Sequence, residues 1–154
     1  MPFKRILCAV DFSSDSVKAF HVAVDLARAQ SGSIHLLHVI EAQPVVADWL
    51  PIGGIGEVTI QIEEKANAAM ESLVRSAKTS LTGLAVTTEV TSGRAFVEIV
   101  NRARELNADV IVLGSKGAAL LEDIIVGSTA ERVMKTASCS VLIARPVQRK
   151  AQDD

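Results

Sequence analysis

The chain alternates short apolar runs of strand length with longer stretches of helical period, and few other arrangements of a chain are so restrictive. KRILCAV (4–10), SIHLLHVI (33–40), LAVTTEVT (84–91), DVIVL (109–113) and SVLIA (140–144) are the five runs. Between them, residues 14–30 place Val17, Phe20, His21, Val24 and Ala27 or Arg28 at three–four spacing. Residues 58–81 do the same with Ile62, Ala66, Ala69, Met70, Leu73, Ala77 and Leu81, and residues 94–106 with Phe96, Ile99, Val100, Ala103 and Leu106. A fourth helix is expected over 128–137. DVIVL is almost wholly apolar, as a strand covered on both faces must be. Strict alternation of this kind predicts an α/β fold: an open parallel sheet with helices on both faces, joined by right-handed crossovers. Gly32 is expected to stop the first helix, and Asn107 to cap the third in the left-handed conformation.

Length and composition narrow the function. A chain of 154 residues is expected to form one domain over 1–147, burying roughly 68–70% of its unfolded surface, with a charged, frayed tail at 148–154. The hydrophobic fraction of 49% and charged fraction of 22% are those of a soluble globular protein. No apolar run approaches the roughly 20 residues of a membrane span, and the apolar stretch before Asp11 is too short for a signal peptide. A cytoplasmic location follows as the expectation. A net charge of −2 and three scattered histidines argue against a nucleic-acid surface, and five aromatic residues in all are too few for a base-stacking platform. Cys8 and Cys139, in or beside strand-like runs, read as buried thiols. His35 and His38 lie three apart on a strand, facing opposite sides, and so cannot share a metal ion. No Ser-His-Asp or Cys-His arrangement is legible, and no catalytic residue is assigned.

The glycines carry the chemistry. GSKGAALLEDIIVGSTAE (114–131) sets Gly114 directly after a strand and Gly127-Ser128 at the start of a helix. Open parallel sheets bind ligands outside the carboxyl ends of their strands. Bare backbone turns and a helix N-terminus converging on that edge suit a phosphate chain. Two readings fit the spacing: a phosphate site, or a plain turn at Gly114 followed by a capping box at Ser128-Thr129-Ala130-Glu131. It is not a Walker loop, since no GxxxxGK[ST] occurs, and Gly53-Gly54-Ile55-Gly56 lacks the strand and third glycine of a dinucleotide fingerprint. The long connection 41–57 is either a surface insertion or a lid over a ligand site.

The chain resembles the universal stress protein family, in its ATP-binding branch. Gly114, Gly117, Gly127 and Ser128 match the family's G-x2-G-x9-G-[ST] in full. The likeness extends to Ala9-Val10-Asp11, to Leu37-His38-Val39, to Gly127 through Val133 and to Ala137 through Ile143. It implies the strand order 3-2-1-4-5 and a Rossmann-like nucleotide site. Asp11 would sit beside the ribose or adenine, and Val39 would offer backbone hydrogen bonds to the adenine edge. Leu113, Gly114, Lys116 and Gly117 would wrap ribose and phosphates, and Gly127, Ser128 and Thr129 would close over the phosphate chain. Beside these roles, Asp11 also reads as a cap of helix 14–30, Lys116 as a solvated surface charge and Val39 as a core residue.

ATP, with Mg²⁺ or Mn²⁺, is the implied ligand. A homodimer through Val141, Leu142 and Ile143 of the last strand is the implied assembly. The chain departs from the family at Ser92-Gly93-Arg94-Ala95, where Gly-x-Pro is usual, at Ser140 in place of a proline, and at Glu122-Asp123, where many members are basic. Two carboxylates near a triphosphate repel it unless a cation intervenes or they face solvent. A slow ATPase or self-phosphorylating protein using Ser128 or another nearby hydroxyl, and a scaffold that no longer binds nucleotide, are the rival readings.

Overall fold

The computed structural model describes residues 2–41, 54–116 and 126–145. The elements run β1 (Arg5–Ala9), α1 (Ser14–Gln30), β2 (Ser33–Ile40), α2 (Gly54–Ser76), β3 (Ala85–Ser92), α3 (Ala95–Glu105), β4 (Val110–Gly114), α4 (Ser128–Thr136) and β5 (Ser140–Ala144). The five strands form one sheet in the order β3-β2-β1-β4-β5, and every neighbouring pair is parallel. The class is the one that the alternation of runs predicts, and the order is the one that the family resemblance implies. The crossing between the β1–β2 half and the β1–β4 half falls at β1, so the chain leaves β1 and β4 at the same edge in opposite directions.

Two apolar layers sandwich the sheet. On one face Ile6, Cys8, Ile34, Leu36, Val110 and Val112 meet Ala19, Phe20, Ala23, Val24 and Ala27 of α1 and Met70 and Leu73 of α2. On the other, Leu7, Leu37, Ile111 and Leu113 meet Ile99, Val100 and Ala103 of α3 and Ala130 and Val133 of α4. Successive residues of each central strand alternate between these layers, as the period of two demands. Burial pushes the Cys8 thiol far up, so it is an inert core group.

Several boundaries and faces differ from the sequence reading. α1 buries Ala19, Ala23 and Ala27 with Phe20 and Val24, while His21 is exposed. The alanine row lets the helix lie close on the sheet, and a stripe drawn from the larger residues overlooks it. α2 begins at Gly54 and ends at Ser76, so part of the expected connection 41–57 is helical, and residues 42–53 lie outside the described residues. Ile62, expected inside, is 43% exposed. Residues 77–83 are turns, ending at Gly83 with φ +80. Leu106 is the C-cap of α3 and 39% exposed. Asn107 takes the expected left-handed conformation.

Gly32 does not stop α1 by adopting that conformation. Ser31 does, with φ 51, and the Gly32 N–H returns to the Ala27 carbonyl at 2.8 Å. Gly32 is bare for a different reason, because a Cβ there would lie 2.6 Å from the Lys4 carbonyl oxygen.

Candidate functional site

At the carboxyl edge, β1 runs into Val10-Asp11-Phe12-Ser13 before α1 begins. Ser13 is the N-cap of α1, accepting from the Ser16 N–H. Asp11 is not the cap; its Oδ1 accepts from the Ser13 N–H at 3.0 Å and from the Ser13 hydroxyl, which fixes the turn that presents the cap. The Asp11 N–H donates to Ser16 Oγ at 3.2 Å. Phe12 has φ 65, a conformation that costs a bulky residue energy and that concentrates at functional turns. Its ring lies 4.5 Å from that of His38.

β2 continues past this point. The last rung joining it to β1 is the Val10 N–H to the Leu37 carbonyl at 2.9 Å. In a parallel strand, alternate residues turn both backbone polar groups to the same neighbour. Ser33 and Leu37 face β1, while Ile40 faces β3, accepting from the Gly93 N–H. Val39 therefore directs its N–H and C=O into the lane that β1 vacates at Asp11. Its side chain packs on the α3–α4 layer, so Val39 is a core residue and an edge-presenting backbone together.

β4 delivers the glycine segment. The Leu113 side chain is buried in the core, and the Lys116 side chain is half-buried. Gly114 is bare for a reason within the fold: a Cβ would sit 2.8 Å from the Asp15 carbonyl carbon and 2.9 Å from Ser16 N. The backbone of α1's first turn occupies that space. Ser115, a mere spacer in the motif, holds the region together. It is 1% exposed, its N–H donates to the Ala144 carbonyl at 3.1 Å and its hydroxyl reaches Asp15 Oδ2 at 3.4 Å. Its carbonyl accepts from the Gly127 N–H. The two halves of the spaced glycine motif are thus hydrogen-bonded to each other, although Ser115 and Gly127 stand twelve positions apart in sequence.

Gly127 is the N-cap of α4, with φ −70 and ψ 162 and no side-chain cap bond. The expected capping box led by Ser128 does not form, because Ser128 is already the first helical residue. The first intrahelical bond is the Glu131 N–H to the Gly127 carbonyl. Helix geometry leaves the N–H groups of Ser128, Thr129 and Ala130 without intrahelical acceptors. Ser128 is exposed and Thr129 half-buried. Glu131, in the first turn, is tied to Lys135 at 2.7 Å, which lowers its pKa. Gly117, Glu122 and Asp123 lie outside the described residues.

Asp11, Val39, Gly114, Lys116, Gly127, Ser128 and Thr129 therefore gather along one edge of the sheet, from the end of β2 to the start of α4. His35 belongs elsewhere: on the opposite face from His38, it bonds Thr87 and Glu89, while His38 bonds the Val10 carbonyl. Among the described residues no group of three or more His, Cys, Asp or Glu side chains could hold a metal ion.

The model of the universal stress protein family matches residues 2–145. The chain belongs to the universal stress protein family. Its curated relatives include universal stress protein MJ0531 of Methanocaldococcus jannaschii, 31% identical over 149 residues that cover 96% of this chain and 85% of that one. Universal stress protein YxiE of Bacillus subtilis is 30% identical, with 93% and 99% covered. Among solved structures, the protein MJ0577 superposes with a TM-score of 0.83 at 25% identity, covering 97% of this chain and all of that one. A universal stress protein solved in complex with cAMP shares the fold, with a TM-score of 0.66 at 18% identity over 94% of this chain and 98% of the other. No helix among the described residues of this universal stress protein is long and apolar enough to cross a membrane.

Proposed function

We propose that this universal stress protein binds an adenine nucleotide, ATP, at the carboxyl edge of its sheet and acts as a nucleotide-dependent signalling module in a stress response. The observation that carries the reading is the Ser115–Gly127 hydrogen bond, which sets the β4 turn against the open N-terminus of α4. N–H groups without helical acceptors and the positive end of the helix dipole then face the edge where phosphates would lie. Val39, at the end of β2, adds a donor and an acceptor on one residue, the complement of the N1 and N6 positions of adenine. The Asp11 carboxylate suits ribose hydroxyls between them. In this reading Gly127, Ser128 and Thr129 hold the phosphate chain, and Lys116 and Gly117 flank it.

A divalent cation fits this edge as a companion of the triphosphate. The Ser128 hydroxyl, on the first turn of α4, is a hard oxygen donor of the type Mg²⁺ or Mn²⁺ takes, with the phosphates themselves and water supplying the other oxygens. When bound, the ion would neutralise phosphate charge. The function in this reading is binding, with conformational bias through differential affinity for two states. The last strand, at the sheet edge, is proposed to pair with its copy in a second chain about a two-fold axis. Val141, Leu142 and Ile143 would lie at that junction.

The test is Ser128→Asp. A carboxylate in the first turn stabilises the helix by about 0.3–1 kcal/mol but places negative charge where phosphate must sit. Calorimetric titration with ATP in EDTA, where no cation can bridge the new carboxylate to the phosphates, should show binding lost in a protein whose melting temperature is unchanged or raised. Retained affinity in the folded variant would refute the site.

A further inference from the structure

The geometry points to His38 as the residue that keeps the Val39 N–H available to a nucleotide base. This rests on the site reading above and deepens it. The register of the parallel ladder pairs Ile6 with Ile34 through Ala9 with Leu37. One step further, Val10 lies opposite His38. The Val10 N–H makes its half of that step, to the Leu37 carbonyl at 2.9 Å. In a continuing parallel ladder the other half would be the Val39 N–H donating to the Val10 carbonyl. That bond is not made, and β1 ends at Ala9.

The Val10 carbonyl is taken instead by the ring of His38, whose Nδ1 lies 2.7 Å away. A carbonyl only accepts, so Nδ1 carries the proton. The imidazole thus replaces the backbone donor that the next rung would have used. Its ring also packs, tilted, against that of Phe12 with the ring centres 4.5 Å apart; Phe12 is the residue whose positive φ turns the chain out of the β1 lane. His38 therefore acts twice on the same boundary. It satisfies the carbonyl that would capture Val39, and it packs against the turn that clears the space in front of Val39. It touches no ligand in this scheme; it is a positioning residue acting through the Val39 backbone.

The consequence is base selection. A Val39 N–H with its C=O matches the acceptor N1 and donor N6 of adenine. Hypoxanthine presents the reverse pair, an N1–H and a carbonyl oxygen. The protein should prefer ATP to ITP, and that preference should depend on His38.

Two variants test this. His38→Leu keeps bulk against Phe12 and removes the donor. His38→Asn restores a donor, since its side-chain amide nitrogen stands where Nδ1 stands. Amide hydrogen exchange at Val39, read by NMR in nucleotide-free protein, should be fast in the wild type and in His38→Asn. It should slow by roughly tenfold or more in His38→Leu, where the rung to Val10 closes. In titrations, the ratio of ATP to ITP affinity should fall about three- to tenfold in His38→Leu, the worth of one neutral hydrogen bond, and hold in His38→Asn. A general loosening of the fold would weaken both nucleotides together and leave the ratio unmoved. Equal Val39 exchange in wild type and His38→Leu would overturn the proposal. So would an unchanged ratio in His38→Leu, with the site itself still standing. If the wild type bound neither nucleotide, the site reading would fall and the base-selecting role with it; the exchange arm distinguishes that failure by still showing whether His38 breaks the ladder.

Discussion

Replacing Gly114 with alanine should damage the fold before it damages any ligand site. The added Cβ would meet Asp15 C at 2.8 Å, Asp15 O at 2.9 Å and Ser16 N at 2.9 Å. All three are backbone atoms, so no side chain can swing aside. Ordinary carbon contacts lie near 3.5–4.0 Å, and the first turn of α1 must therefore retreat by roughly 0.5 Å or more. That turn holds the Ser13 cap, and Ser16 receives the Asp11 N–H, so the retreat strains both. Overpacking by one methyl costs about 1–3 kcal/mol. Reduced freedom of the unfolded chain returns about 0.4–1 kcal/mol, leaving a net loss of about 1.3 kcal/mol at mid-range values. For a chain of this size that lowers the melting temperature by about 3–5 °C. Thermal and urea denaturation of nucleotide-free protein measures it directly. Gly114→Val, larger still, should lose about 3 kcal/mol or more. A nucleotide-free Gly114→Ala protein as stable as wild type that has lost ATP binding would refute the reasoning. The glycine would then be bare for the ligand, and the approach of α1 would be incidental.

Gly56→Ala offers the contrast. No atom stands within 4 Å of the place its Cβ would take on α2, and the substitution should raise stability by about 0.5 kcal/mol through helix propensity, measured by the same denaturation. Leu142→Lys combined with Ile143→Pro should give monomers in sedimentation, since both disrupt pairing at the β5 edge; a folded dimer would place the contact elsewhere. Asp109 accepts from the Arg5 side chain and from the backbone N–H groups of Arg5 and Lys4, which together lower its pKa to about 2. A depressed folded pKa contributes stability above the unfolded value, near 4, that is lost as pH falls through about 2. Asp109→Asn should therefore be less stable than wild type at neutral pH, with the difference shrinking between about pH 4 and pH 2 in acid-denaturation curves. Cys8, sealed in the core with its thiol shifted upward, should resist alkylation until the protein unfolds, as mass spectrometry of reagent-treated native protein would show.

The sequence by itself determined the sheet. Strand-length apolar runs separated by helical periods leave little choice but parallel pairing, and DVIVL had to be an interior strand covered on both faces because no polar face remained to meet water. The resemblance carried by Gly114, Gly117, Gly127 and Ser128 supplied the strand order and the edge at which to look. The tertiary structure decided why particular residues stand there. In sequence Gly114 reads as bare either for a ligand or for a plain turn; in the fold its own chain fills the space, since the nearest atoms belong to the first turn of α1, far earlier in the chain. Large residues mark the buried face of α1 in sequence, yet alanines set how near the helix lies. Ser115 is a spacer in the motif and the link between its halves in the fold, because one buried carbonyl needed one donor and Gly127 supplied it. His38 is legible in sequence as part of the Leu37-His38-Val39 likeness and as a residue that cannot share a metal with His35. Its part in ending the β1–β2 ladder depends on which carbonyl lies opposite it, and register between strands is fixed by packing across the whole sheet rather than by any local run of residues.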